Sequence, residues 1–480
     1  MFKRKLIAAA IAMVLAGPAL AQDGELAKIR EEIRQMKEGY ERRIQTLEKR
    51  LEEAENKAGK AEFSASKAES TASQAQQTAA KAETAASSSA NRRSENAFNP
   101  AVSLILQGTY SSTSQDPNTY QITGFVPSGG EVGPPKRSFG LGETELMFSA
   151  NIDPYFRGVA IAALTPENEV EVEEAYFQTL ALPKGFTLKG GRFLSGIGYQ
   201  NEIHQHAWDF QDAPLAYKAF LGGRMHQDGL QLRWLAPTDL FVELGAEFSS
   251  GDQFPGSDRN KNGVGGSALF GRLGGDIGAS TAWRTGFSYL RTSPQGRGYE
   301  DVDSLGAPVA NSFTGRSRMW IADAVLKWAP NGNATGTNFK LQGEYFRRKE
   351  DGQLTYDDTT GSMLWGAVTG PYDSRQSGWY LQGVYQFMPR WRAGLRHDRL
   401  DFGTVGNGIV QGGLGPVAAD FPVLTPYSPK RDTLMLDWSL TEFSRVRLQF
   451  ASDKSRMGLT DNQFIVQYVH SLGAHGGHKF

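Results

Sequence analysis

The feature that most constrains the fold is a series of strand-like segments that runs from residue 98 onward. In each segment apolar and polar side chains alternate with a period of two, the pattern of a strand with one apolar and one polar face. Residues 240–248 are typical, with Leu240, Val242, Leu244, Ala246 and Phe248 on one face. Because so many segments repeat this pattern and so few are wholly apolar, the sequence favours a closed antiparallel β-barrel with an apolar outside and a polar inside.

The N-terminus predicts that the chain is exported. Residues 3–5 are basic, residues 6–15 are apolar, and Ala19-Leu20-Ala21 matches a cleavage site, so residues 1–21 are predicted to be a signal peptide. The apolar stretch is shorter than the ~20 residues that a membrane-spanning helix requires. The sequence contains no cysteine. An exported chain without disulfides needs another stabilising device, and a closed hydrogen-bonded barrel supplies one.

Residues 22–88 are predicted to form an α-helical coiled coil. Apolar positions recur at alternating intervals of three and four in Leu26, Ile29, Ile33, Met36 and Tyr40, and alanines continue the seam after Leu51. A seam of this kind needs a partner helix, and copies of the same chain are the simplest partners. The alternative for the alanine-rich half is a disordered spacer. Residues 89–97 are a polar linker.

Residues 98–480 are predicted to form a transmembrane barrel of about sixteen strands, in which short turns alternate with long loops. That alternation is typical of outer-membrane barrels, whose short turns lie in the periplasm. The predicted strands include 317–329, 338–348, 378–388 and 390–402. Aromatic residues near strand ends predict an interfacial girdle; they are Trp234, Trp283, Trp320, Trp328, Tyr385, Phe387, Trp391 and Trp438.

Together, these segments resemble the phosphate-selective (O/P-type) and related outer-membrane porins of Gram-negative bacteria. The local match is the run Leu188-Lys189-Gly190-Gly191-Arg192-Phe193, which resembles the strand that leads into the third, inward-folded loop of those porins. The aromatic Phe480 resembles a barrel-assembly signal. The resemblance implies a homotrimer, passive diffusion of small polar or charged solutes, and a loop over 195–227 that narrows the barrel.

The loop over 195–227 also carries candidate metal ligands. His204 and His206 share one face if the segment is extended, and Asp209 follows closely. Imidazole and carboxylate suit zinc, copper or nickel, so these residues predict a divalent-metal site. The alternative is a polar constriction loop with solvated histidines and no cofactor. His475 and His478 are a second candidate metal pair.

Charged residues on the predicted inner face are candidates for lining the pore. Acidic side chains fall on early strands, at Glu143, Glu145, Glu243 and Glu247. Basic side chains fall on late strands, at Arg392, Arg396, Arg445 and Arg447. Acids and bases on different walls predict a transverse field across the pore. The alternative is that these charges pair across the lumen.

Charge and motifs bear on whether the chain is a nucleic-acid-binding protein, an enzyme or a channel. The net charge is −1, which gives no reason to expect a nucleic-acid partner. We find no nucleophile elbow, phosphate-binding loop or HExxH motif at convincing spacing. The sequence therefore predicts a non-enzymatic channel in the outer membrane, with the coiled coil in the periplasm and outer-membrane lipid around the barrel. The alternatives are a barrel for zinc uptake or binding, and an outer-membrane barrel enzyme.

Overall fold

The computed structural model describes residues 100–473, apart from 130, 131 and 167, together with Glu31, Arg34 and Lys49. Those three isolated residues fall in the predicted coiled coil and are helical. The predicted signal peptide and linker, the rest of the coiled coil, His475, His478 and Phe480 lie outside the described residues. None of the helices described is both long enough and apolar enough to cross a membrane.

Within the described part of the chain, eighteen strand segments form one antiparallel sheet. They are β1 (Ala101–Thr113), β2 (Ser138–Leu141), β3 (Thr144–Asn151), β4 (Phe156–Leu164), β5 (Val170–Thr179), β6 (Phe186–Leu194), β7 (His226–Leu235), β8 (Phe241–Ser249), β9 (Gly266–Ile277), β10 (Thr281–Thr292), β11 (Arg297–Val302), β12 (Pro308–Trp328), β13 (Asn338–Asp357), β14 (Ala367–Met388), β15 (Trp391–Asn407), β16 (Lys430–Thr441), β17 (Ser444–Lys454) and β18 (Asp461–Gly473). Two α-helices lie between strands, α1 (Leu215–Leu221) and α2 (Gly408–Gln411). Short 3₁₀ turns are Pro117–Thr119, Pro183–Gly185, Gln205–Ala207, Pro330–Gly332, Ala418–Asp420 and Pro422–Leu424.

The sheet closes on itself. β18 pairs with β1 in a continuous antiparallel register from Ser103–Gly473 to Thr113–Gln463. β2 and β3 both lie beside β1, so together they act as one interrupted strand. β11 pairs with the far end of β12, while β10 pairs directly with β12. β2 and β3 occupy one strand position, and β10 and β11 occupy another. The eighteen segments therefore form a barrel of sixteen strands, and the predicted closed antiparallel barrel is confirmed.

The outside of the barrel is apolar over the band of strands that adjoins the short turns. Leu232, Leu244 and Leu395 point outward, with exposed fractions of 44%, 50% and 56%. Several predicted girdle residues lie at the short-turn ends of their strands, and the rings of Trp391 and Trp438 stack with centroids 5.7 Å apart. Large exposed apolar patches are rare on soluble monomers, so this surface requires an apolar environment.

The pattern inverts along the tallest strands. β12, β13 and β14 contain 21, 20 and 22 residues, whereas β3 contains 8. In the first half of β13, Leu341 is exposed and Gln342 is buried. In the second half, Gln353 is exposed, whereas Leu354 and Tyr356 are buried. Beyond the apolar band these strands therefore enclose an apolar core and present polar side chains outward, like a soluble protein.

This inversion explains an error in the predicted strand lengths. The strands predicted over 338–348 and 378–388 extend in the structure to Asn338–Asp357 and Ala367–Met388. The sequence criterion looked for apolar side chains on the outward face, and that criterion fails where the outward face becomes polar. The extensions enclose a second core formed by Val126, Tyr299, Val309, Phe313, Leu354, Tyr356, Tyr372, Ile409, Phe421, Val423 and Leu424.

The substitution Leu434→Arg tests the assignment of the outward face. Leu434 is 56% exposed on β16 and lies between Leu395 and Phe450 of the neighbouring strands. Arginine at the middle of a lipid-facing band costs about 2–4 kcal/mol. We expect that loss in the free energy of unfolding measured by denaturant titration in liposomes.

The matched control is Leu305→Arg. Leu305 is 68% exposed but lies between β11 and β12, away from the apolar band. We expect this change to leave the free energy of unfolding nearly unaltered. Equal losses in the two variants would show that the outward face of β16 is not in lipid.

Candidate functional site

The connection between β6 and β7, residues 195–225, lies inside the barrel. None of its residues is exposed. Its polar groups bond to strands on opposite sides of the barrel, from Glu174 on β5 to Asp398 on β15. A surface loop between strands would expose most of its backbone. We call residues 195–225 the lumen loop.

The lumen loop enters the barrel through hydrogen bonds to two inward-facing glutamates. The backbone nitrogen of Gly196 donates to Glu247 on β8, at 2.7 Å. The backbone nitrogens of Tyr199 and Gln200 donate to the two carboxylate oxygens of Glu344 on β13, at 2.9 and 3.1 Å. Gly198, with φ of +66°, makes this turn possible, because a Cβ there would stand 2.4 Å from Glu344. Such bonds compensate the buried backbone.

Helix α1 supplies the apolar part of the contact. All seven of its residues are buried. The ring of Tyr217 meets Phe346 of β13 edge to face at 5.0 Å, and Phe220 stacks on the same ring at 6.1 Å. The first backbone nitrogen of the helix, at Leu215, donates to Asp398 on β15 at 3.0 Å. The helix is thus capped by the wall and packed against it.

The acidic residues of the lumen loop face a basic wall. Asp209 accepts from Lys340 at 2.9 Å and from Arg392 at 3.0 Å. Burial alone would raise the pKa of Asp209, but these two cations hold it below its usual range.

Asp212 is the most heavily paired acid of the loop. Its carboxylate bonds to Arg431 of β16, to Arg396 of β15 at 3.1 Å and to Lys218 of α1 at 2.9 Å. Burial alone would raise the pKa of Asp212, and the three cations lower it well below its ordinary value. The carboxylate therefore stays ionised and joins the loop to two strands.

The basic residues of the lumen loop face an acidic wall. Arg224 bonds to Glu143 at 2.7 Å and to Glu173 of β5. His206 lies 2.9 Å from Glu145 of β3. His204 lies among Glu145, Glu173 and Glu174. Burial alone would lower the pKa of His204, but these carboxylates raise it well above its ordinary value.

The predicted pore-lining residues are the residues that hold the lumen loop. Glu143, Glu145, Glu247, Arg392 and Arg396 bond to loop side chains or amides, and Arg445 and Arg447 donate to the loop carbonyls of His206 and Trp208. Glu243 reaches the loop through Arg272, which also bonds to Glu202. Basic loop side chains face Glu143 and Glu145, and acidic loop side chains face Arg392 and Arg396.

The predicted metal ligands are only partly brought together. The rings of His204 and His206 stack with centroids 5.8 Å apart. The carboxylate of Asp209 instead bonds to Lys340 and Arg392 on the basic wall. Sequence reasoning missed Glu173 and Glu174, which are both buried although they are consecutive. A bulge in the pairing of β5 with β4 at Ile161/Ala162 turns both inward, which no strict alternation predicts.

A second loop covers the lumen loop. Gly124 and Ser128 lie in the connection between β1 and β2. The carbonyl of Gly124 accepts from Gln376 of β14 at 2.7 Å, and Ser128 donates to the carbonyl of Lys218 at 2.6 Å. Phe125 meets Phe220 of α1 edge to face at 5.7 Å. The lumen loop is thus enclosed from a second direction.

Comparison with known proteins identifies one sequence relative. An uncharacterized protein of Aquifex aeolicus (strain VF5) is 30% identical over 418 residues, which cover 81% of each chain. No protein-family model matches the sequence.

Several solved structures are similar to this chain at low sequence identity. A loop-deletion mutant of OmpT from Vibrio cholerae has a TM-score of 0.47 and 10% identity, covering 78% of this chain and 99% of that chain. OprB of Pseudomonas putida has a TM-score of 0.44 and 13% identity, covering 80% and 96%. The channel DcaP of Acinetobacter baumannii has a TM-score of 0.44 and 10% identity, covering 78% and 97%.

The substitution Asp212→Asn tests whether charge pairing holds the lumen loop in place. It leaves Arg431, Arg396 and Lys218 without their shared counter-charge, which costs about 3–5 kcal/mol for a buried pair. We expect loss of amide hydrogen-exchange protection over 209–221. In the unaltered protein this contribution is fully present above an aspartate pKa of about 3.9 and is lost as pH falls through the lowered pKa of Asp212.

The control for this variant is Asp239→Asn. Asp239 is exposed in the turn between β7 and β8. Its neutralisation should leave the exchange of 209–221 unaltered. Full protection in Asp212→Asn at neutral pH would contradict the role given to charge pairing.

Proposed function

We propose that this chain, which belongs to one family with the uncharacterized Aquifex aeolicus protein, is an outer-membrane channel for small polar or charged solutes. The observation that carries the proposal is the opposite polarity of the two barrel faces. Leu434 on β16 is 56% exposed, while its neighbours Arg431 and Thr433 are buried inside. An apolar outside with a polar inside suits a barrel that spans lipid around a polar passage.

The lumen loop sets the width of that passage in our proposal. It crosses between the acidic and basic walls and leaves a cavity of about 500 Å³ next to the short turns. Lys327, Lys340 and Arg392 line this cavity together with Asp209 and Asp276. Solutes that enter from this side meet fixed charges of both signs, which orient them before they reach the loop.

We also propose the arrangement around the barrel. The short turns face the periplasm, which puts the predicted coiled coil of residues 22–88 on the same side. Its heptad spacing supports self-association, the resemblance to trimeric porins suggests three copies, and each barrel then conducts separately. Outer-membrane lipid covers the apolar band. This arrangement rests on the sequence pattern of residues 22–88 and on the alternation of short turns and long loops.

Planar-bilayer recording of the purified protein tests the proposed function. We expect the unaltered protein to insert and to show small conductance steps, because the lumen loop crosses the barrel interior between opposite walls. Replacement of residues 205–221 by a short glycine-serine linker should raise the conductance several-fold, since it removes α1 and the segment before it. Reversal potentials in a salt gradient then report the ion preference.

A matched deletion provides the control. Residues 258–263, between β8 and β9, are exposed or half-buried, and their replacement by the same linker should leave the step size unchanged. If neither the unaltered protein nor the variant lacking 205–221 forms steps, although both insert as folded barrels, the chain is not a channel.

A further inference from the structure

One ring nitrogen of His204 lies between two carboxylate oxygens, within ion-pair distance of both but without a hydrogen bond to either. Its Nδ1 is 3.4 Å from Oε2 of Glu145 and 3.4 Å from Oε2 of Glu173. Nδ1 of His204 and Oε2 of Glu173 are both buried without a hydrogen-bond partner. Glu173 is only 4% exposed. Buried polar atoms without partners are rare, and each such atom needs an explanation.

We propose that Glu145, Glu173 and His204 form a binding site for a divalent transition-metal ion of the zinc class. One ligand atom from each of the three residues lies within 4.8 Å of the other two. Glu145 and Glu173 belong to the barrel wall, and His204 belongs to the lumen loop. The ion therefore joins the loop to the wall, a role that does not depend on solute passage.

Two of the three ligand separations fit a tetrahedral ion. Zinc bonds to imidazole nitrogen and carboxylate oxygen are about 2.0–2.2 Å long, so two ligands of one ion stand about 3.3–3.6 Å apart. The two distances from Nδ1 of His204 to the carboxylates are both 3.4 Å. Three protein ligands leave the fourth position of the ion for water or a solute.

The other ring nitrogen of His204, Nε2, faces a carboxylate, as the second ring nitrogen of a metal-binding histidine usually does. Nε2 lies 3.0 Å from Oε2 of Glu174. The N–H group of Nε2 then donates a hydrogen bond to Glu174. When a metal ion displaces the proton on Nδ1, the lone pair of Nδ1 is directed at the space between Glu145 and Glu173. A carboxylate that accepts from the second nitrogen fixes the tautomer and increases the basicity of the ligand.

The bulge in β5 builds this arrangement. Residues on a regular strand alternate between faces, so only one of Glu173 and Glu174 would point into the lumen. The register shift at Ile161/Ala162 makes both point inward. One carboxylate can then face the ion while its neighbour orients the imidazole. Bulges often re-aim side chains at functional sites.

The charges around the site favour a cation. Four carboxylates surround His204 and Arg224, and the fixed positive charges near them are Arg224 and Lys189; the four are Glu143, Glu145, Glu173 and Glu174. Once the ion has displaced the proton on His204, the carboxylate groups outnumber these two cations. A divalent ion balances that excess. His206, 2.9 Å from the other oxygen of Glu145, orients that carboxylate.

Zinc binding to the full chain tests the proposal. The protein is refolded in detergent, stripped with a chelator and titrated with zinc chloride by calorimetry at neutral pH. His475→Ala and His478→Ala are introduced first, so that the C-terminal histidines contribute nothing. We expect this parent to bind one zinc per chain and His204→Ala to lose that binding.

Two further variants separate ligation from folding. Glu174→Gln keeps the shape of the side chain that orients His204 and should weaken binding about 10–100-fold. His397→Ala is the matched control, because His397 pairs with a single carboxylate, Asp432, on the exposed side of the barrel. That variant should bind zinc as the parent does. Circular dichroism establishes which variants are folded.

X-ray absorption spectroscopy of the zinc-loaded parent tests whether an imidazole binds the zinc, even if His204→Ala fails to fold. We expect a first shell of nitrogen and oxygen with the outer-shell signature of one imidazole. The proposal is overturned if the parent binds no zinc at micromolar concentration, if the bound zinc lacks an imidazole ligand, or if folded His204→Ala binds zinc as tightly as the parent.

Discussion

Charge pairing between the lumen loop and the barrel wall is the interaction on which the interior of this protein depends. An ionised side chain removed from water costs several kcal/mol unless a counter-charge compensates it. The wall carries buried arginines such as Arg396 and Arg447 on one side and buried glutamates such as Glu145 on the other. Loop residue His206 pairs with Glu145, and loop residue Asp212 pairs with Arg396. The wall charges and the position of the loop therefore stabilise each other. Removing either would leave the other without a partner.

The same strands serve two environments along their length. Next to the short turns their outward residues are apolar and their inward residues polar, as a lipid-facing wall requires. Beyond that band the assignment reverses, and Leu354 and Tyr356 of β13 pack inside. The tall strands therefore enclose a polar interior next to the short turns and an apolar core beyond the apolar band. The apolar core at the far ends of the tall strands and the salt-bridged lumen loop both fill the barrel interior. Together they explain why so few inward side chains are exposed.

The sequence predicted the barrel and its strand number, because alternation along a strand is local information. It placed Glu145 and Arg396 on the inner face but did not identify their partners in the lumen loop, His204 and Asp212, since these lie 59 and 184 residues away in sequence. The sequence also could not predict which wall each part of the lumen loop faces. His206 and Asp209 are three residues apart, yet the chain turns between them towards opposite walls. The bulge that turns Glu173 inward depends on pairing with β4, which no pattern within β5 encodes.

Thiol accessibility tests most directly whether the lumen loop is held inside the barrel. The chain has no native cysteine, so Ala216→Cys places a single thiol in helix α1, where Ala216 is fully buried. Val264→Cys, at a position that is 58% exposed between β8 and β9, is the reference. The account predicts that a polar maleimide modifies the folded reference barrel rapidly and leaves the thiol at position 216 unmodified until the protein is denatured. Modification of both thiols at the same rate in folded protein would contradict it.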